Sequence, residues 1–242
     1  MRITAITAFF LILAGSVFGS GTTENQTLAF GGIRDVTVTA QFLDVEVTGA
    51  DTPRVDMSST ADNSYRVRHE QVGGSMRVWI EKDWPFGFEG GGLLRFRVPR
   101  SVSLRVQTIS GRIVASGLSG GSCTLKTVSG RIVVEDLRAD IRAESVSGEI
   151  LLQGTRGTIS ANTISGSITG DEVALLGDST FGSISGKVDI HPATPLEALR
   201  FDLSSLSGRI VVGTIGTAKG LRMGFTGPLI KAQTISGPVL FR

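Results

Sequence analysis

The sequence predicts an all-β protein: a parallel β-solenoid (β-helix) of about seven Ser-Gly-marked rungs with an N-terminal β cap. Three observations carry this. First, a Ser-Gly dipeptide, preceded by an aliphatic residue and with Ile or Val two positions after its glycine, occurs seven times. Its glycines are Gly111, Gly130, Gly148, Gly166, Gly186, Gly208 and Gly237, at spacings of 19, 18, 18, 20, 22 and 29 residues. Second, apolar and polar residues alternate on both sides of each copy, the period of a half-buried strand. Third, 32 of 242 residues are glycine without a G-X-Y period, while 40% hydrophobic and 19% charged residues supply a real core.

Residues 1–19 read as a signal peptide. Met1 and Arg2 give a positive start, Ile3 to Ala14 is almost wholly apolar, and Val17 and Gly19 suit cleavage before Ser20. The apolar run is too short for a membrane span, and no later segment reaches the roughly 18 residues one needs. An exported protein is therefore expected, located in the periplasm, on the cell surface or in the medium.

Residues 20–100 are expected to form the N-terminal β-rich cap and a first unmarked rung. Val36, Val38 and Ala40, then Leu43, Val45 and Val47, are two alternating runs with a change of phase between them. Tyr65–Arg68 and Met76–Ile80 flank Gly73-Gly74 as a hairpin, and Leu94 to Val98 is a further strand ending at Pro99. Together they would cover an end that otherwise presents unpaired backbone.

Residues 101–242 form the repeat region. Leu104 and Val106, Cys123 and Leu125, and Ile141 and Ala143 alternate with Arg105, Thr124 and Arg142. The aliphatic residue before each Ser-Gly lies three positions after the last of these, so the inward phase flips, which needs a corner or bulge. If that aliphatic residue points in, the hydroxyls beside it point out: Thr108 and Ser110, Thr127 and Ser129, and their equivalents. They then either form a ligand-binding ladder or satisfy backbone groups at the corner, and the second reading is favoured. Glycine at the corner allows positive φ and close approach of rungs. A unit of two short strands cannot bury its own face, so units stack, each strand pairing in parallel with its equivalent in the next. Seven rungs would stand roughly 34 Å tall. Residues 191–195 and the segment holding Gly213, Gly216, Gly220 and Gly224 are expected to be loop insertions or an added unmarked rung.

The pattern resembles a bacterial family of β-strand-repeat proteins provisionally described as adhesins, formally a domain of unknown function. The resemblance rests on Asp44-Val45-Glu46-Val47 followed by Arg54-Val55-Asp56, on the Val98-Pro99-Arg100 step into Leu104-Arg105-Val106, and on the serial Thr-Ile-Ser-Gly and Thr-Val-Ser-Gly copies. It spans roughly residues 28–242. An acidic residue after the repeat glycine is common in the family; Glu149 fits, whereas Arg112, Arg131, Lys187 and Arg209 depart, which alters surface charge. The resemblance implies an exported solenoid with an adhesive or envelope role and supplies no catalytic residues.

Composition argues against most reaction chemistry. One cysteine cannot form an internal disulfide, and two histidines cannot build a His-rich metal site. Cys123 alternates with Leu125 as a core thiol. Glu144, Glu149, Asp189 and Asp202 read as outward carboxylates in different columns, unlike a glycosidase pair. No enzyme activity, catalytic residue, cofactor or metal is expected. Candidate surface contacts are Arg66, Arg68, Arg77, Arg95 and Arg97, which share one strand parity and form one basic face if their strands pair. The others are Trp84, Phe86 and Phe88, in a Gly/Pro-rich loop. The function expected is an exported, non-enzymatic, adhesin-like protein binding an envelope or extracellular polymer or protein, not nucleic acid. The alternative is a structural or sensory envelope component acting through protein-protein assembly, self-association through the solenoid ends included.

Overall fold

The computed structural model describes residues 26–61, 65–82 and 91–242; the expected signal peptide and Trp84, Phe86 and Phe88 lie outside the described residues. The described chain is all-β, its one helical element being the 3-10 turn Leu196–Ala198. Each Ser-Gly copy joins two short strands, a first arm before the corner and a second arm after it. Ser103–Gln107 and Ile113–Ser116 flank Gly111, and Arg138–Ser145 and Ile150–Gln153 flank Gly148.

First arms pair with first arms and second arms with second arms, in parallel. Val38, Val106, Leu125, Ala143, Ala161, Phe181, Ala232 and Leu203 are thereby stacked in register, all buried. The second arms stack Val45, Ile113, Ile132, Ile150, Ile168, Val188, Val239 and Ile210. These two columns face each other across one apolar core, because the corner returns the chain with its apolar parity still inward. Volume is balanced along the stack: Phe181 follows two alanines, and its ring meets Phe241 edge-on at 6.1 Å, which in turn meets Phe201 at 5.1 Å.

The unmarked repeat is present. Asp35–Thr39 and Asp44–Ala50 pair in parallel with the arms around Gly111. Beyond them lie Ser75–Lys82 and Gly92–Pro99, also parallel, and then antiparallel strands. Tyr65–Val72 pairs with Ser75–Lys82 as the expected hairpin, turning at Gly73 with φ +58°. Arg54–Ala61 joins Gly92–Pro99 to Gln26–Gly31.

Two expectations about the far end are corrected. The repeats do not stack strictly in sequence order: the copy at Gly237 lies between those at Gly186 and Gly208. The connection after Pro192 carries the chain one level out, so Arg200–Val212 runs through both arms as one long strand, and Leu229–Phe241 fills the gap behind it. The glycine-bearing segment between them is neither a loop nor an added parallel rung. It is the strand Ile215–Met223, antiparallel to Arg200–Val212, entered at Gly213 (φ +56°) and left through Gly224 (φ +85°) and Gly227 (φ +88°).

Candidate functional site

At the corners the structure reverses the expected orientation of two columns. The hydroxyl residues three before each glycine point inward: Thr108, Thr127, Ser145, Thr163, Ser183, Ser205 and Thr234 are 3–7% exposed. The aliphatic residues next to them point outward. Ile109, Val128, Val146, Ile164, Ile184 and Ile235 are 40–48% exposed, and Leu206 is 76% exposed. The phase still flips, but across the aliphatic-Ser pair, two residues later than alternation suggested.

The reason is polar satisfaction. The turn aims the glycine N–H into the body, where an unpaired donor is costly. The inward hydroxyl meets it: Gly130 N–H donates to Thr127 Oγ1 at 3.0 Å, Gly148 to Ser145 at 2.7 Å, Gly166 to Thr163 at 3.1 Å and Gly186 to Ser183 at 2.8 Å. Each hydroxyl has its own proton to give, and in several repeats it goes to the glycine carbonyl of the neighbouring repeat: Thr163 to Gly148 (3.2 Å) and Ser183 to Gly166 (2.9 Å). An aliphatic side chain at that position could do neither. The inward hydroxyls thus satisfy corner backbone groups, whereas the second hydroxyl column, Ser110, Ser129, Ser147, Ser165 and their equivalents, is exposed as expected.

The corner glycines are corrected in part. None of the seven has positive φ. Close approach alone requires glycine: a Cβ on Gly130, Gly148, Gly166 or Gly186 would lie 1.7–2.0 Å from the carbonyl oxygen of the corner glycine in the adjacent repeat.

The consequence is an exposed apolar column. The backbone at each corner hydrogen-bonds to the aliphatic residue of the repeat before it: Val128 and Ser129 N–H to Ile109 O, Ser147 to Val128 O, Ile164 and Ser165 to Val146 O, and so on through Ile184, Ile235 and Ser207. Side chains anchored this way stand one per repeat in line; in the unmarked repeat the equivalent position is Gln41, whose carbonyl accepts the Ile109 and Ser110 N–H, and Phe42, 40% exposed, follows it. Alternation could not reveal it, because an isolated aliphatic residue in a strand pattern reads as core.

The predicted arginines do not form one face by strand pairing. Arg66, Arg68 and Arg77 lie on the hairpin of the first-arm ladder, and Arg95 and Arg97 on Gly92–Pro99 of the second. Arg68 pairs with Glu81 at 2.9 Å, and this hydrogen bond, with one from Trp79, holds the Glu81 carboxyl below the usual range. Arg95 pairs with Glu46 at 2.9 Å; both, with Arg97, Asp56, Met57 and Phe96, line a shallow depression of about 440 Å³.

Cys123 is 1% exposed, and burial pushes its thiol up to about 12. Asp189, expected outward, is 7% exposed because Arg242 lies over it with two hydrogen bonds of 2.8 and 2.6 Å. His191 stands 3.5 Å from Asp171 and 3.7 Å from Asp189, contacts that sequence spacing did not suggest. Among the described residues no three His, Cys, Asp or Glu side chains are grouped to hold a metal, and no helix is long and apolar enough to cross a membrane. Phe225, in the turn after Ile215–Met223, is 99% exposed; as an isolated aromatic it carries no signal in the sequence.

An all-β chain of parallel Ser-Gly repeats defines the class. The chain belongs to the Toastrack DUF4097 family, which matches residues 90–224, more than half its length. Among solved structures it is similar to a provisionally named lipid binding protein from Parabacteroides distasonis. That likeness has 13% identity and a TM-score of 0.49, covering 92% of this chain and 98% of that one. It is also similar to a provisionally named adhesin from Bacteroides fragilis, with 10% identity, a TM-score of 0.46 and coverage of 91% and 98%. A third is a provisionally named cell adhesion protein from Clostridium sporogenes, with 8% identity, a TM-score of 0.38 and coverage of 90% and 99%. Likenesses of this size establish no activity. No curated protein matches the chain.

Proposed function

We propose that the protein is an exported, non-enzymatic, adhesin-like binding protein. In this reading the two parallel ladders are successive coils of a β-solenoid whose corner column meets a cell-envelope or extracellular surface. The observation that carries it is the line of outward aliphatic residues from Ile109 to Leu206. A scaffold that only had to stay in solution gains nothing from them, and contiguous exposed apolar surface marks a contact site. Trp84, Phe86 and Phe88 remain candidate contacts on the same reading.

Binding of the secreted chain to isolated envelope fractions and to a glycan array tests this. It is run beside V146S/I164S/I184S and W84S/F86S/F88S variants. Saturable binding lost in the first and kept in the second assigns the contact to the column, and the reverse assigns it to the aromatic segment. Absence of binding by the intact chain refutes the surface-binding reading.

A second reading, assembly with another protein or with itself, draws on the end strand Ile215–Met223. It pairs on one side only among the described residues, with Phe225 exposed beside it. Concentration-dependent self-association that is lost on Phe225→Ser would favour it.

A further inference from the structure

We propose that the corner column and its flanks form a docking face for an anionic lipid bilayer surface. This rests on the surface-binding reading and names its partner. At strand spacing, seven side chains one repeat apart span about 29 Å. The ridge is narrow, and its two sides carry a net positive charge.

Three residues after each column position stand Arg112, Arg131, Lys187 and Arg209, with Glu149 as the single acid. Two and four residues before it stand Lys126, Arg105, Arg142 and Lys231, with Glu144 and Asp202. Eight cations against three carboxylates give +5 on the flanks (8 − 3), whereas the whole chain carries only +2. Glu144 is satisfied by Lys126 at 2.7 Å and Arg142 at 2.5 Å, and Glu149 by Arg131 at 3.1 Å. Arg105, Arg112, Arg209 and Lys231 are in no ion pair among the described residues. Every one of these flank cations except the half-buried Lys126 is exposed.

An apolar ridge between cationic columns matches a headgroup layer. Aliphatic side chains enter the acyl boundary to a depth of roughly 5–10 Å, and the guanidinium and ammonium groups on either side meet phosphates. The other occupants fit less well. A sugar chain is held by aromatic stacking as well as hydrogen bonds; the exposed serines and arginines beside the column offer donors, but the column from Ile109 to Leu206 carries no aromatic ring to stack. A second copy pressed column to column would bring two +5 flanks together, and like charge disfavours that contact.

The test is flotation of the secreted chain with vesicles of phosphatidylglycerol and phosphatidylcholine, and with phosphatidylcholine alone. V146S/I164S/I184S and R112Q/R131Q/R209Q variants are assayed in parallel, each first shown by circular dichroism and melting to be folded. Expected are binding to the anionic vesicles only, about tenfold weaker binding at 0.5 M than at 0.05 M salt, and at least tenfold loss in both variants. Equal binding to neutral vesicles, or binding unaffected by either variant, overturns the proposal. So does retention by dextran sulfate without vesicle binding, which makes the face a polyanion site. Self-association abolished by the column variant, without vesicle binding, overturns it in favour of a second copy. If vesicles fail but envelope fractions still bind through the column, the lipid assignment falls and the surface-binding reading stands. Failure of both removes the surface-binding reading as well.

Discussion

Thr163→Val separates the two ways of facing a corner. The substitution keeps the shape of the side chain and removes only its hydroxyl. In the structure Thr163 is 5% exposed, accepts the Gly166 N–H at 3.1 Å and donates to Gly148 O at 3.2 Å. Valine leaves that N–H without a partner, at a cost of about 1–3 kcal/mol, and forfeits a second bond with a net contribution of roughly 0.5–1.5 kcal/mol. The added buried methyl returns about 0.8 kcal/mol. The net loss centres near 2 kcal/mol, a fall in Tm of about 4–8 °C for a chain of this length. Thr163→Ser keeps both bonds, as Ser183 does in the flanking repeat, and should lose only about 1 kcal/mol with its methyl. Ile164→Ser, at a position 45% exposed, should likewise cost about 1 kcal/mol or less. Had the aliphatic residue been the inward one, the order would reverse, with Thr163→Val within about 0.5 kcal/mol of wild type and Ile164→Ser costing about 2–5 kcal/mol. Thermal and urea melts of the three variants decide it. If Ile164→Ser is less stable than Thr163→Val, or Thr163→Val melts at or above wild type, the account of the corner is wrong.

Gly148→Ala puts a Cβ 1.7 Å from Gly130 O and should cost about 3 kcal/mol or more in a melt, whereas Gly31→Ala, with nothing within 4 Å, should be nearly neutral. The Cys123 thiol, pushed up to about 12 by burial, should not react with an aromatic disulfide reagent at pH 8 until denaturant exposes it; rapid labelling of the native chain would contradict its burial. Burial raises the Asp189 carboxyl, but the Arg242 hydrogen bonds and the Arg242, Lys187 and His191 charges outweigh it, so the folded value lies below the usual carboxylate range. A depressed value contributes stability above the unfolded pKa, lost as pH falls through the folded one. Arg242→Gln should therefore begin to unfold at higher pH on acid titration than wild type.

The all-β class, the seven repeats and the parallel pairing of equivalents were legible because they depend on local alternation and on spacing along the chain. Leu104 with Val106 and Ile113 with Ala115 could face only one way, and glycines at near-constant intervals imply that backbones meet there. The unmarked repeat at Val36 to Val47 and the Gly73-Gly74 hairpin were legible for the same reason. The arginine face was not. Parity assigns a side of a strand, but it does not say that Arg77 and Arg95 belong to different ladders.

By itself the sequence determined the repeat unit, its apolar arms and its corners, since each follows from the residues of one copy. Tertiary structure alone decided what the corner column is. A Thr-Ile-Ser-Gly segment can turn its hydroxyl or its isoleucine inward, and single-strand alternation favours the isoleucine. Stacking reverses that preference, because the glycine N–H and the glycine carbonyl of the neighbouring repeat both come to lie buried beside it, where only a hydroxyl can serve both. The order of the last two repeats was decided the same way, by which strand could fill the gap behind Arg200–Val212. The apolar ridge and its basic flanks exist only once the repeats are stacked.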